Sequence, residues 1–292
     1  MAQMRRTIFL TLFIVSFTLP YRAMAQGTLH FNHKSTNGSF AVQLWSFRDD
    51  FSKDVAGTLR RVRELGFREV ELAGTYGMTA GQFRKELDKA GLKAISMHIE
   101  YATARDKIDE VIKDARILGV RDVGVPWIRS PFTKSDCLAA IAVFNRAGRK
   151  LAAAGLRFFY HLHGYEFVND ENGKGTLFDL LMAKTDRRYV YLQLDTYHVA
   201  YPGQDPVELL KKYPRRFISI HLKDLRKDTV GDDSGDYQEA AEVPIGQGKI
   251  NWLELLKTAR RQGIRRYILE HETSTVWLEI KESLNYLKTV YF

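Results

Sequence analysis

Four short segments carry most of the side chains in this sequence that could bind a metal ion. Each is an apolar, β-type run that changes to His, Asp or Glu where a strand should end. The segments are FYHLHGYEF (158–166), LQLDTYHV (192–199), ISIHLKD (218–224) and YILEHE (267–272). Segments with helical spacing lie between them, so the four polar ends are expected to converge on one face of one sheet. Converging carboxylates and imidazoles are ligands of divalent cations, so the sequence predicts a metalloenzyme.

A short phrase recurs along the chain and predicts the fold. In each copy a helical segment reaches a Gly suited to a helix end, and an apolar strand follows. The copies are LGFREVEL (65–72), AGLKAISMH (90–98), LGVRDVGVP (118–126), AGLRFFYHLH (154–163) and QGIRRYILEHE (262–272). Three further strands are predicted at 42–47, 190–195 and 217–222. Eight nearly continuous apolar strands alternating with helices over roughly 250 residues predict an α/β fold, a single (β/α)8 TIM barrel. A doubly wound sheet is disfavoured because no Gly-rich phosphate loop follows the first strand.

The barrel predicts where the chemistry lies, because the active site of this architecture is at the C-terminal ends of the strands. The opposite ends of the predicted strands carry mostly Arg, Lys and Gly. The side chains expected at the C-terminal ends are Trp45, Glu71, His98, Trp127, His161, His163, Glu166, Asp195, His198, His221, Lys223, Asp224, Glu270 and Glu272.

Several of these motifs resemble the sugar phosphate isomerase/epimerase family, the xylose isomerase-like barrels that include tagatose 3-epimerase and inosose dehydratase. HLHGYEF resembles the family's H-N-H-x-x-E-F, DTYH its D-x-x-H, HLKD its H-x-K-D, and LEHE its last strand. The resemblance implies one divalent metal ion (Mn, Co, Zn or Mg) held by Glu166, Asp195, His221 and Glu270. Two choices remain open. The first ligand is either Glu166 or one of His161 and His163, and the last ligand is either Glu270 or Glu272.

The resemblance also implies a reaction. A metal that bridges a sugar's hydroxyl and carbonyl acidifies the neighbouring C–H, and carboxylates can remove and return that proton. In the related epimerases the first and last Glu ligands do this, which implies catalytic roles for Glu166 and Glu270. The expected substrate contacts are His198, which would orient the substrate or a metal ligand, Lys223, which would stabilise an enediolate, and His98, His163, Trp45, Trp127 and Glu71.

The function predicted first is therefore a metal-dependent isomerase or epimerase acting on a small-molecule carbohydrate. The alternative is a 3-keto-glycoside lyase, which removes the C2 proton and then expels the aglycone. An endonuclease IV-like phosphodiesterase and a non-catalytic sugar-binding protein are less expected.

The chain begins with features of a secretory signal. Arg5 and Arg6 precede the apolar run 8–19, and Ala23-Met24-Ala25 offers a cleavage site. We expect a signal peptide over 1–25, a disordered lead-in over 26–37 and a catalytic barrel over 38–292. The protein is expected to be periplasmic or secreted, without stable membrane insertion.

Composition restricts the partners. The formal charge is +9, but basic residues are dispersed and do not interleave with aromatics, so nucleic acid is not expected as a partner. Cys137 is the only cysteine, which excludes an internal disulfide and a multi-thiolate zinc site. A homo-oligomer is possible in this family. The Gly-containing segment 224–252 is interpreted as an extended loop that is either a lid or a surface insertion.

Overall fold

Eight parallel strands close into a barrel in the computed structural model, which describes residues 40–171, 173 and 175–290. The barrel strands are Ala41–Gln43 (β1), Glu69–Leu72 (β2), Lys93–His98 (β3), Asp122–Val125 (β4), Arg157–His161 (β5), Val190–Asp195 (β6), Phe217–Leu222 (β7) and Tyr267–Leu269 (β10). Two short strands outside the barrel, Asp224–Leu225 (β8) and Glu242–Val243 (β9), pair as an antiparallel ribbon. The barrel runs β1 to β7 in sequence order, and β10 closes it between β7 and β1. The predicted (β/α)8 barrel is confirmed.

Helices surround the barrel, in the connections between strands and after the last strand. They are Arg48–Phe51 (α1), Val55–Glu64 (α2), Ala80–Ala90 (α3), Tyr101–Asp106 (α4), Ile108–Leu118 (α5), Lys134–Ala153 (α6), Leu177–Lys184 (α7), Thr196–Ala200 (α8), Pro206–Lys212 (α9), Trp252–Arg261 (α10) and Val276–Leu287 (α11). Local sequence sets many of their ends. Thr79 caps α3 with a reciprocal hydrogen bond to Gln82, and Gly91 ends that helix in the left-handed region at φ +68°.

The helices are amphipathic, and their apolar faces pack on the outside of the barrel. In α5 the buried residues Ile108, Val111, Ala115 and Leu118 recur at helical spacing and join one core cluster with the strand residues. The strands are buried on both faces, as their continuous apolar character predicted. This packing fixes the strand ends, from which the candidate site is built.

The first strand is shorter than predicted. The sequence predicted a strand over 42–47, but β1 ends at Gln43 and a 3-10 helix follows at Leu44–Phe47. The Gln43 side chain accepts a hydrogen bond from the Trp45 N–H at 3.2 Å and so caps the turn, while Leu44 and Phe47 bury their side chains in the core. The strand prediction is therefore wrong beyond Gln43.

The predicted signal peptide (1–25) and lead-in (26–37) lie outside the described residues. Within the described residues, no helix combines the length and apolar character needed to cross a bilayer.

Candidate metal centre

His221 occupies the centre of the candidate site at the C-terminal end of β7. Its imidazole is fully buried; Nδ1 lies 3.0 Å from Glu270 Oε2 and 3.9 Å from Asp195 Oδ2. On the other side of the ring, Nε2 lies 2.5 Å from Glu71 Oε1. Burial alone would lower the pKa of His221, but the Glu270 and Glu71 carboxylates raise that pKa to about 10. The ring therefore lies between two carboxylates, of which only Glu270 lines the open end of the barrel.

Asp195, the last residue of β6, presents an unsatisfied oxygen to this cluster. Its Oδ1 accepts the His198 N–H at 2.9 Å, whereas its buried Oδ2 has no hydrogen-bond partner. Three nitrogen atoms lie around Oδ2: His161 Nε2 at 3.9 Å, His221 Nδ1 at 3.9 Å and Lys223 Nζ at 4.0 Å. Burial raises the pKa of Asp195 to about 6, although Lys223 and His221 oppose that rise. A buried polar atom without a partner is costly, so this oxygen is suited to binding a cation.

Ligand-type atoms converge here at spacings that suit a metal ion. One potential ligand atom from each of Asp195, His221 and Glu270 lies within 4.8 Å of the other two, and the same holds for His98, His161 and His221. Ligands about 2.0–2.2 Å from a common ion lie within roughly 4.4 Å of one another. The distances from His221 Nδ1 to Glu270 Oε2 (3.0 Å) and to Asp195 Oδ2 (3.9 Å) meet this limit. The His161 Nε2–Asp195 Oδ2 distance brings His161 to the same oxygen.

A polar layer inside the barrel orients these imidazoles. Gln193 Oε1 accepts a hydrogen bond from His161 Nδ1 at 2.8 Å, so the lone pair of His161 lies on Nε2, which faces Asp195. Gln193 is itself fixed because its amide nitrogen donates to Glu71 Oε2 at 2.9 Å and to Ser219 Oγ at 3.1 Å. Such partners behind a ligand fix ring orientation and tautomer.

Glu166, the first ligand implied by the resemblance, is not brought together with the other three. It lies in the 3-10 turn Tyr165–Phe167 beyond β5, and among the described residues it belongs to neither group of converging ligand atoms. Its buried carboxylate accepts hydrogen bonds from the Tyr160 hydroxyl and from the Gly164 N–H, the latter at 2.8 Å. Burial raises the pKa of Glu166 to about 7, and these hydrogen bonds oppose the rise. The carboxylate supports the turn after β5.

Glu272 and Lys223 form a second charged pair beside Glu270. The Lys223 ammonium is fully buried and lies 2.7 Å from Glu272 Oε1 and 3.2 Å from Glu270 Oε2. Burial would lower the pKa of Lys223, but Glu270 and Glu272 hold it well above its usual value. Glu272 also accepts a hydrogen bond from Trp45 Nε1 at 3.0 Å. Of the two alternatives at the last strand, the structure brings Glu270 to the metal-type cluster and Glu272 to its rim.

A cavity of about 780 Å³ opens above the cluster at the C-terminal end of the barrel. Seven of the sequence-predicted residues line it: Trp45, Trp127, His98, His161, His163, Glu270 and Glu272. Its remaining lining includes the apolar side chains Ile99, Pro126 and Ile128. Glu71, predicted as a substrate contact, is fully buried below the cavity instead.

Two further imidazoles, His163 and His198, belong to neither group of converging ligand atoms in the described part of the chain. His163 Nδ1 lies 3.2 Å from the Gly235 carbonyl, so it donates there and leaves Nε2 as an acceptor. Burial lowers the pKa of His163 to about 4, which keeps the ring neutral. The His198 ring lies 4.0 Å from it between centroids, and the buried His198 Nε2 has no hydrogen-bond partner.

The segment after β7 forms part of the cavity wall. Gly235, Asp236 and Tyr237 line the cavity, and the Ser130 hydroxyl donates to the Ser234 carbonyl at 3.0 Å. The β8–β9 ribbon anchors both ends of this wall segment. The loop interpretation of 224–252 therefore missed the ribbon. It left open a lid or a surface insertion, and three residues of the segment, Gly235, Asp236 and Tyr237, line the cavity.

The fold and this cluster define a (β/α)8 barrel with metal-type ligands at its strand ends. A family model for xylose isomerase-like TIM barrels matches residues 59–290, and the chain belongs to that family. Among curated relatives, an inosose dehydratase of Geobacillus kaustophilus is 27% identical over 206 residues, 62% of this chain and 65% of the relative. An inosose dehydratase of Clostridium tetani is 33% identical over 173 residues, 59% of this chain and 56% of the relative. The chain thus spans less than two thirds of these relatives.

Solved structures extend the similarity over most of the chain. A sugar phosphate isomerase/epimerase from Parabacteroides distasonis has a TM-score of 0.72 and 25% identity, covering 86% of this chain and 97% of that one. An IOLI protein with a bound zinc atom has a TM-score of 0.65, covering 87% of this chain and 99% of its own. Its 14% identity shows a shared fold alone.

Proposed function

We propose that this protein is a divalent-metal-dependent lyase of the dehydratase type, acting on a keto-sugar or a related polyhydroxylated ketone. The observation that carries the proposal is the unpartnered, buried Asp195 Oδ2 next to the cavity-lining His161, with ligand-type nitrogen atoms of His161 and His221 3.9 Å away. The inosose dehydratases among the relatives support the reaction class.

The proposed ligands are His161, Asp195, His221 and Glu270. When bound, the cation would polarise a substrate carbonyl and acidify the neighbouring C–H. Two imidazoles and two carboxylates suit zinc, manganese or cobalt better than magnesium, which prefers oxygen ligands. The zinc atom in the IOLI protein supports a divalent cation in this fold.

The acid–base groups of the cavity favour elimination over two-base epimerisation. An epimerase that used Glu166 and Glu270 would need both carboxylates at the substrate, and Glu166 is engaged by Tyr160 and Gly164 instead. We assign His163 as the base, because its Nδ1–H is committed to Gly235 and its Nε2 can accept the proton next to the carbonyl. The electron pair of that C–H bond forms a C=C bond, and the substituent on the next carbon leaves with its own electron pair and takes up a proton. Lys223 supplies positive charge beside Glu270 and Glu272.

Isomerisation or epimerisation is the second candidate function. It is favoured by the Parabacteroides distasonis isomerase/epimerase, which matches 86% of the chain. Both candidates share removal of the proton next to a carbonyl. They differ in the next step, because a lyase expels a substituent whereas an isomerase returns a proton to the carbon skeleton.

The test is incubation of metal-loaded protein in D2O with inososes, free sugars and 3-keto-glycosides, followed by NMR and mass spectrometry. Loss of water or of an aglycone with formation of an unsaturated ketone is expected. Deuterium incorporation into an otherwise intact carbon skeleton would replace the lyase proposal with the isomerase. The His163→Asn variant should retain bound metal and lose proton exchange. Exchange at the wild-type rate in that variant would exclude His163 as the base.

A further inference from the structure

Basic residues that are dispersed along the sequence gather at one end of the barrel. All eight strands are parallel, so the segments that link a helix to the next strand lie together at the strand-start end. These segments hold ten Lys or Arg against three Asp or Glu, and each holds at least one Lys or Arg. They are 65–69, 91–93, 119–122, 154–157, 185–190, 213–217 and 262–267. We call this end the basic face.

The opposite end has the reverse charge balance. The segments that follow the strands hold eighteen Asp or Glu against ten Lys or Arg. They are 44–54, 73–79, 99–107, 126–133, 162–176, 196–205, 223–251 and 270–275. The molecule therefore has a strong charge asymmetry along the barrel axis, which orients it in an external field or at a charged surface.

The acids of the basic face neutralise only some of its cations. Asp122 pairs with Arg157 at 2.6 Å and with Arg266, and Asp186 pairs with Arg188 at 2.8 Å. By contrast, four exposed side chains have no ion pair or side-chain hydrogen bond within the described part of the chain: Arg68, Lys93, Arg121 and Arg187. These four belong to four different connections, so the uncompensated charge is spread across the face.

A surface cavity adjoins this face at the end of α10. It has a volume of about 470 Å³, and its lining residues are Lys257, Arg260, Arg261 and Arg265. A concave site lined by four cations suits a compact anionic group such as a phosphate.

We propose that the basic face docks on the anionic headgroups of a lipid surface. The chain enters the barrel from this end, because Phe40 directly precedes β1. Until the expected cleavage of the signal peptide, the apolar run 8–19 and the adjacent Arg5 and Arg6 are therefore joined to the chain on the side of the basic face. Docking here leaves the substrate cavity open, since that cavity lies at the opposite end of the barrel. Each Lys or Arg near an anionic membrane surface raises the affinity of a protein for that membrane roughly fivefold.

The test is co-sedimentation of the full chain with vesicles of phosphatidylcholine alone and of phosphatidylcholine with about 30% phosphatidylglycerol. A quadruple variant, R68Q/K93Q/R121Q/R187Q, should bind the anionic vesicles about 600-fold more weakly than the wild type, at roughly fivefold per cation removed. The matched control K53Q/K107Q/K227Q/K249Q removes four exposed cations from the strand-end segments and should bind as the wild type does. Residues 1–39 are the same in all three proteins, so their own membrane affinity cancels.

Rising salt should weaken wild-type binding to the anionic vesicles, because exposed charges are screened. Equal binding to both vesicle types, or equal losses in the two quadruple variants, would overturn the proposal. So would retention on immobilised DNA or acidic polysaccharide without vesicle binding, which would assign the face to a different polyanion.

Discussion

The Glu71 carboxylate lies 2.5 Å from His221 Nε2, on the side of the imidazole opposite the cavity. This contact leaves His221 Nδ1 directed towards Asp195 and Glu270, as a metal-binding imidazole requires. Glu71 is also held by Ser96 Oγ at 2.6 Å and Gln43 Nε2 at 2.9 Å, so its position is fixed. Carboxylate–histidine pairs of this kind raise the basicity of the ligand and set its orientation.

Replacing Glu71 by Gln should therefore weaken zinc or manganese binding by about 10–100-fold, although Glu71 does not face the cavity. Isothermal titration of the metal-free protein measures this directly. The exposed Glu64→Gln variant on α2 is the control and should bind as the wild type does. An unchanged affinity in Glu71→Gln would show that the Glu71–His221 contact does not support a metal ligand.

His161 and Glu166 offer a second comparison, because both were candidates for the first ligand. His161→Ala should reduce the bound metal to well below one ion per chain, since it removes the nitrogen 3.9 Å from Asp195 Oδ2. Glu166→Gln should keep its metal but lower the free energy of unfolding by about 1–3 kcal/mol, because it disturbs the acceptor of the Tyr160 and Gly164 hydrogen bonds. Elemental analysis and denaturant unfolding of both variants distinguish these roles. Metal loss in Glu166→Gln with full occupancy in His161→Ala would reverse the assignment.

The barrel was predictable because its signals are local. Gly91 and Gly119 end helices at positive φ, and an apolar strand follows each within three residues. Each copy of the recurring phrase therefore predicts its own helix end and the strand that follows it. The choice of the first ligand, by contrast, depends on contacts that local sequence does not show. His161 is the last residue of β5, whereas Glu166 lies five residues further on, after Gly164 turns the chain at φ +97°. The sequence left both candidates open because the contact between Glu166 and Tyr160 exists only in the folded barrel.

The role of Glu71 depended on register in the same way. The sequence places it at the end of β2, where substrate contacts are expected. In the barrel it pairs with Gln43 on β1 and Ser96 on β3, which puts its carboxylate in the polar layer below the cavity. Strand register in a closed barrel depends on all eight strands together. The sequence of one strand therefore does not show whether its side chain lies in the cavity or in the layer below it.

The buried Lys223 should stabilise the protein most strongly when no metal is bound. It compensates Glu270 and Glu272 at 3.2 Å and 2.7 Å, so Lys223→Met removes a cation from the buried Glu270, which keeps His221, and from the partly buried Glu272. Removing one partner of a buried ion pair costs about 3–5 kcal/mol, which corresponds to roughly 10 °C in Tm for a domain of this size. A bound divalent cation at Glu270 should recover part of that loss. Thermal unfolding with and without zinc tests this, and an equal loss in both conditions would contradict it.

Gly235 in the cavity wall should affect substrate binding without affecting the metal. It has φ +78°, and a Cβ there would lie 2.4 Å from the Tyr165 ring and 3.2 Å from the His163 carbonyl oxygen. Gly235→Ala should therefore displace the wall segment, raise KM by about tenfold or more and leave the metal content unchanged. Gly263→Ala is a matched control, because Gly263 has a similar φ of +84° but no atom within 4 Å of the added Cβ. Both variants should lose about 1 kcal/mol of stability from backbone strain, so a KM change confined to Gly235→Ala isolates the contact with Tyr165 and His163. Equal KM values in the two variants would show that the wall segment does not contribute to the substrate site.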